Sequence, residues 1–302
     1  MVLTSHRPDC FRLAVDCLVR GGSAQRFARV VILANGVTGR HARYIAALPR
    51  RFPEVNWDVI AGPRGKGWRI SNLQNECVKR YPKALYFKID EDVFVSSDWD
   101  EKLAETHAAF SRRQDLALVS ATIPNNGVGA FFLLDRFPDA KEAFGRLPHA
   151  AGEREQVMTA IRFYPHLAAW LTRRFLRLEE WQKALRDAPA PRWEEWHAHF
   201  SINCICYDYR HWQALGGVQE HDEADWAKWI EAHKALIVFD THALCHHYTF
   251  FTQQDGLDRT SVLEDIRRAN LPGTSGPFDF LHPFFRTARQ IPGILACRLR
   301  RG

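Results

Sequence analysis

The sequence predicts an α/β fold, a mostly parallel and doubly wound sheet flanked by helices. Three observations carry that expectation. Short apolar runs alternate with helically spaced segments through the first half of the chain. The run Leu85-Tyr86-Phe87-Lys88-Ile89 reads as a buried strand, and Asp90-Glu91-Asp92 closes it at its C-terminal end. The composition, 46% apolar and 25% charged over 302 residues, is enough to bury a sizeable core.

The elements follow in order. Val2-Leu3-Thr4 is a short strand, and Pro8 then opens a helix in which Phe11, Val15, Leu18 and Val19 recur at helical spacing. Arg29 to Ala34 is a strand buried on both faces, broken by Asn35-Gly36. A helix from about Thr38 to Leu48 leads to strand Trp57 to Ile60. A basic, glycine-rich loop follows, with Gly62, Gly65 and Gly67 among Arg64, Lys66 and Arg69. It opens the helix of Leu73, Cys77 and Val78, which ends before Pro82 and the Leu85 strand. Asp98 begins another helix; Leu116 to Ala121 and Val128 to Leu134 read as strands around the turn at Pro124-Asn125-Asn126-Gly127. From about Pro138 to Ala198 the pattern is helical, an insertion carrying Trp170, Trp181, Trp193 and Trp196. Strand character returns at Phe200 to Tyr207, at Leu236 to Phe239 and at Ala243 to Tyr248, separated by Gly216-Gly217 and the helix opened by Asp222-Glu223-Ala224-Asp225.

A net charge of +6 favours anionic partners such as nucleotides, acidic glycans or anionic lipid, and no nucleic-acid motif is present. Seven cysteines without a C-x-x-C pair read as buried thiols of a reducing compartment. No run reaches the ~20 apolar residues of a membrane span, and no signal peptide precedes the first strand. The expected location is cytoplasmic.

Ligands of open α/β sheets bind outside the carboxyl ends of the strands, where two carboxylates one residue apart suit a hard divalent cation with positions left for phosphate oxygens. The Gly62 to Arg69 loop lets backbone approach a ligand and offers phosphate-binding cations, although it fits neither the dinucleotide nor the Walker pattern. His246 and His247 are adjacent on a strand and so face opposite ways, which leaves one of them for a site beneath.

This order of features resembles the GT-A glycosyltransferases, most closely the inverting family 2 enzymes, over roughly residues 1 to 250. The resemblance implies a nucleoside-diphosphate-sugar donor, a hydroxyl acceptor and Mn2+ or Mg2+. Asp90-Glu91-Asp92 matches the family's Asp-x-Asp, with Asp92 the direct metal ligand and Asp90 serving the ribose or a metal-bound water. Asp222-Glu223-Ala224-Asp225 stands where the family has Glu-Asp-x-Asp; the base is then Glu223, with Asp222 and Asp225 as competitors because the acids are inverted in order. His246 or His247 completes the metal site. Thr4, Ser5, Arg7, Asp58, Lys66, Arg69, Asp90 and Glu91 fall where the donor is bound, Asp58 being taken as the end of the third strand.

On this reading residues 1–265 form one domain: a nucleotide-sugar half (1–124), the helical insertion (135–198) and an acceptor half (199–250), with a basic, aromatic tail over 266–302. Phe278, Phe280, Phe284 and Phe285 lie there beside Arg286 and Arg289, which suits peripheral contact with the inner face of a membrane and a glycan or lipid-linked acceptor of surface-polysaccharide or glycolipid synthesis. The alternatives are a nucleotidyltransferase, which wants a glycine-rich loop after the first strand where Ser5-His6-Arg7-Pro8 stands, and a nucleotide- or glycan-binding protein without catalysis.

Overall fold

A computed structural model describes residues 1–63, 70–150, 154–248 and 252–271. Strands β1 (Val2–Thr4), β2 (Val30–Asn35) and β3 (Trp57–Gly62) are parallel neighbours, and β1 is parallel to β4 (Leu85–Asp90) on its other side. Helices α1 (Pro8–Arg20), α2 (Ser23–Arg26), α3 (Gly39–Arg51) and α4 (Ile70–Arg80) connect them. α3 buries His41, Tyr44, Ile45 and Leu48, the i, i+3, i+4, i+7 stripe of a helix lying on a sheet. The second half runs β5 (Val93–Val95), α5 (Trp99–Phe110), β6 (Leu116–Thr122), α6 (Gly127–Arg136), α7 (Pro138–Gly145), α8 (Arg154–Phe163), α9 (Pro165–Arg174) and α10 (Leu178–Asp187). It continues through β7 (Trp193–Trp196), β8 (Cys204–Asp208), α11 (Tyr209–Ala214), α12 (Asp222–His233), β9 (Leu236–His247), α13 (Gln254–Leu257) and α14 (Val262–Asn270).

The strand order is β3-β2-β1-β4-β8-β6-β9-β5, with β7 also paired to β9. The fold is α/β as expected, but the sheet is mixed: β8 runs antiparallel to both β4 and β6, and β9 is antiparallel to β5 and β7 while parallel to β6. Buried apolar residues fill both faces. Phe11, Leu18, Phe94 and Trp99 pack on one side, and Phe200, Tyr207, Trp226 and Ile230 on the other. The insertion forms a third cluster around Phe144, Leu171 and Phe175.

Three expected elements change type or extent. Val128 to Leu134, read as a strand, is the core of α6, whose first turn is capped by Asn126 accepting the Val128 N–H at 3.1 Å. Short apolar runs do not distinguish a buried strand from a buried helix. The helical stretch expected to Ala198 stops earlier, because Pro189 and Pro191 interrupt it and Trp193–Trp196 pairs with β9. The two expected strands at Leu236 and Ala243 are one, β9, which shifts register against β6 between Asp240 and Leu244. At the C-terminal end, α14 crosses residue 265 without a break, and the tail beyond Leu271 lies outside the described residues.

Candidate functional site

β4 ends at Asp90 and β5 begins at Val93, so Glu91 and Asp92 make the turn between them. β5 pairs antiparallel with the end of β9, Val93 opposite His247, and the Tyr248 N–H donates to the Asp92 carbonyl at 2.9 Å. That register sets His247 Nε2 3.4 Å from Asp92 Oδ2. Each perturbs the other. Burial works to raise the Asp92 carboxyl, but the charge and hydrogen bond of His247, helped by Arg7, hold it below its ordinary value. Burial works to lower His247, and Asp92 first, then Asp90 and Glu223, raise it above the ordinary histidine value.

His246 faces the other way, as strand alternation requires. Its Nε2 lies 3.0 Å from the Leu176 carbonyl in the insertion, its Nδ1 is buried without a hydrogen-bond partner among the described residues, and burial lowers it to about 4. The structure therefore removes His246 from the acidic cluster and leaves His247.

Asp90 projects beside Lys88, whose Nζ lies 2.8 Å from Asp90 Oδ1 and donates to the Ile202 carbonyl, also at 2.8 Å. Burial pushes the Asp90 carboxyl up to about 6; Lys88 opposes this, and the charges of Asp92 and Asp222 add to it. Glu91 turns back into the fold. Its buried carboxylate accepts from Thr4 Oγ1 (2.6 Å), the Ser5 N–H (3.0 Å), Ser5 Oγ (3.2 Å) and the His6 N–H (3.2 Å), pinning the turn after β1 to the acidic turn. Thr4 Oγ1 also lies 3.1 Å from His41 Nε2. Thr4, Ser5 and Glu91 are thus brought to the site edge as one hydrogen-bonded unit.

The second acidic cluster opens α12. Asp222 Oδ2 accepts from Gln74 Nε2 at 3.2 Å and is close enough to raise Asp90. Glu223 Oε2 accepts the Ile202 N–H at 3.1 Å, and its Oε1 lies 3.4 Å from His199 Nε2, with a third of the side chain exposed. Asp225 is turned to its own helix start: Oδ2 accepts the His221 N–H at 3.0 Å, and Lys228 lies 3.6 Å from Oδ1. An acid closing the first turn in this way is a helix-capping arrangement, and it turns this carboxylate toward its own helix start.

Arg7 is buried between Asp9 and Asp258, each at 3.1 Å, with its guanidinium 5.2 Å from the Tyr248 ring centroid and Nη1 without a partner. It reaches the cluster through its charge on Asp92. Asp58 does not reach it. β3 continues to Gly62, so Asp58 sits near the strand's start, level with Val31, whereas Thr4 is level with Ala34. Three residues at ~3.3 Å each put Asp58 roughly 10 Å below the strand ends. There it accepts from Tyr81 Oη at 2.5 Å and Arg80 at 3.3 Å, a structural pairing that keeps its carboxyl below the ordinary value. Lys66 and Arg69 lie outside the described residues.

Four participants escape sequence reading: Lys88, Gln74, His41 and Asn203. Asn203 Nδ2 lies 3.1 Å from the His247 ring, and its carbonyl accepts the Asp90 N–H at 3.1 Å. Of these only Lys88 carried a signal, a cation inside an otherwise apolar strand. Among the described residues no set of three or more His, Cys, Asp or Glu side chains closes as a metal site. The donors present, a carboxylate on Asp92 and an imidazole on His247, fit a divalent ion that takes its remaining ligands from elsewhere.

A mixed sheet with acids at the β4–β5 turn and at the start of α12 is the GT-A fold. Two solved structures carry that likeness. A mannosyltransferase, PcManGT from Pyrobaculum calidifontis, in complex with GDP-Man and Mn2+, superposes with a TM-score of 0.50 at 12% identity over 93% of this chain. GalNAc-T7 with UDP, GalNAc and Mn2+ does so with a TM-score of 0.50 at 9% identity over 95% of this chain. The chain spans 66% of the first and 53% of the second. No protein-family model and no curated protein sequence matches.

Proposed function

We propose that the chain is a metal-dependent glycosyltransferase that moves a sugar from a nucleoside-diphosphate sugar to an acceptor hydroxyl with inversion. One observation carries the reading: two carboxylate groups of different character meet at one end of the sheet. On one side stand Asp92 and His247 with Asp90; on the other stand Asp222 and Glu223. The neighbours of this fold that bind GDP-Man or UDP with Mn2+ support a similar donor.

Asp92 and His247 would hold the cation. A bound divalent ion supplies charge stabilisation to a departing diphosphate. Thr4 and Ser5, held by Glu91, border the nucleoside, and the buried charge of Arg7 offsets part of the negative field at Asp92. Glu223 is the proposed general base: its Oε1 lies beside His199 and a third of its side chain is exposed. It takes the acceptor proton as the hydroxyl oxygen attacks the anomeric carbon and the bond to the diphosphate breaks. A single base without a protein nucleophile inverts the anomeric centre. The basic surface supports a glycan or lipid-linked acceptor of surface-polysaccharide or glycolipid synthesis.

The test is turnover of a panel of UDP- and GDP-sugars with Mn2+ or Mg2+, with calorimetry of the free nucleotides on wild type and Asp92→Asn. Metal-dependent binding that falls at least ~10-fold in Asp92→Asn is expected. Undiminished binding removes Asp92 from the site, and release of pyrophosphate from a sugar phosphate and a nucleoside triphosphate would move the assignment to nucleotidyl transfer.

A further inference from the structure

The donor-side and acceptor-side acids are joined through the backbone of one residue, Ile202. Lys88 is 1% exposed, and its ammonium meets two partners, the Asp90 carboxylate and the Ile202 carbonyl, each at 2.8 Å. The Ile202 N–H in turn donates to Glu223 at 3.1 Å. The next residue closes the loop, its carbonyl accepting the Asp90 N–H and its side-chain amide meeting the His247 ring. Residues 202 and 203 precede β8, the antiparallel strand beside β4, so the sheet itself brings them against the acidic turn.

A buried lysine is costly unless its charge is paired and its donors are used. An ordinary core strand has no reason to carry one, and apolar residues surround this position in β4. We propose that Lys88 is a positioning residue for the transfer reaction: through the backbone of Ile202 it fixes the distance between Asp90, on the donor side, and Glu223, on the acceptor side. The inference rests on the glycosyltransferase reading above. In it, Lys88 touches neither substrate. It sets where the base stands when the donor is engaged, and misplacing a catalytic group by an ångström is expensive in rate.

The consequence is a split in kinetic constants. Lys88→Met keeps the chain length and removes the ammonium; it is expected to lower kcat at least ~30-fold while the donor KM stays within about threefold. Lys88→Arg, which restores a buried cation, is expected to recover part of that loss. If kcat of Lys88→Met stays within threefold, if the donor KM alone rises, or if activity returns fully on cooling the assay below the variant's melting point, the positioning role is wrong.

Changing a buried, paired charge also bears on folding, so a measurement on the wild-type full chain stands beside them. Amide hydrogen exchange is followed over residues 202–203 and 222–224 as MnCl2 is added with UDP, GDP, ADP or CDP in turn. A bound nucleotide is expected to slow exchange at both stretches at least fivefold. Binding by calorimetry with no change at residues 222–224 overturns the linkage and leaves the functional reading standing. No binding of any of the four nucleotides overturns the functional reading, and this inference with it.

Discussion

At the scale of single residues the site divides by which way each side chain points, and that is where mutation discriminates. On the proposed function, His247→Ala should weaken Mn2+-dependent nucleotide binding at least ~10-fold, because it removes the partner of Asp92 and the second proposed metal donor; His246→Ala should leave binding near wild type and lower only the melting temperature, since its ring contacts Leu176. Calorimetry beside thermal unfolding separates the two, and equal, mild effects would return both histidines to structure. Glu223→Gln should retain donor binding and lose at least ~100-fold in turnover; if Asp222→Asn is the inactive variant instead, the base lies one residue earlier. A pH effect follows from His211, which burial lowers from 6.5 to about 4 among Tyr207, Trp226 and Trp229. The unfolded chain takes up this proton below about 6.5 and the folded one does not, so the contribution is whole above that pH and is lost as pH falls toward 4. The loss is on the order of 3 kcal/mol. Urea melts from pH 7 to 4.5 should show it, with a flatter profile in His211→Phe; identical profiles would mean the proton is not taken up differentially. The grouping of these acids was legible beforehand. Asp90, Asp92 and the Asp222-Glu223 pair announced themselves by charge at strand and helix ends, whereas where Asp225 and Asp58 point depends on backbone groups and strand lengths that charge does not reveal.

At the scale of elements the first four strands were readable as short apolar runs bounded by turns, and α1, α3 and α4 by their helical spacing; α2, four residues long, was not. A second exception, α6, shows what the pattern lacked. Its run is apolar all round, and its identity is settled by contacts distant from propensity: Asn126 caps it, and Gly129 lies so close to the preceding turn that an added Cβ would fall 2.2 Å from the Ile123 carbonyl oxygen. Gly129→Ala is therefore expected to cost about 2–3 kcal/mol or more, a clash with backbone being harder to relieve than one with a side chain. Equilibrium denaturation measures it, and a change under ~0.5 kcal/mol would mean the turn moves freely. β7 was hidden for a related reason: four residues just after Pro189 and Pro191 carry too little sequence to declare a strand, and their pairing with β9 arises only once the sheet exists.

At the scale of the whole molecule, charge and topology have separate consequences. The net charge of +6 and the arginines at 286, 289, 298, 300 and 301 predict that the full chain co-sediments with anionic liposomes at low salt and that removing residues 278–302 abolishes this while nucleotide binding persists. Full-length protein left in the supernatant would end the membrane reading. Topology bears on assembly. β9 is the partner shared by β5, β6 and β7, which lie far from it along the chain. Contacts of that sequence separation close slowly, because loop entropy is lost before pairing repays it. During synthesis the chain therefore carries the edge of β6 uncovered until residues 236–247 have left the ribosome, and His247 arrives with the same strand that covers it. Completion of the sheet and the meeting of Asp92 with His247 are one folding event, so a nascent or truncated chain that holds Asp92 without β9 has neither a closed edge nor that pair, and is the species most exposed to aggregation.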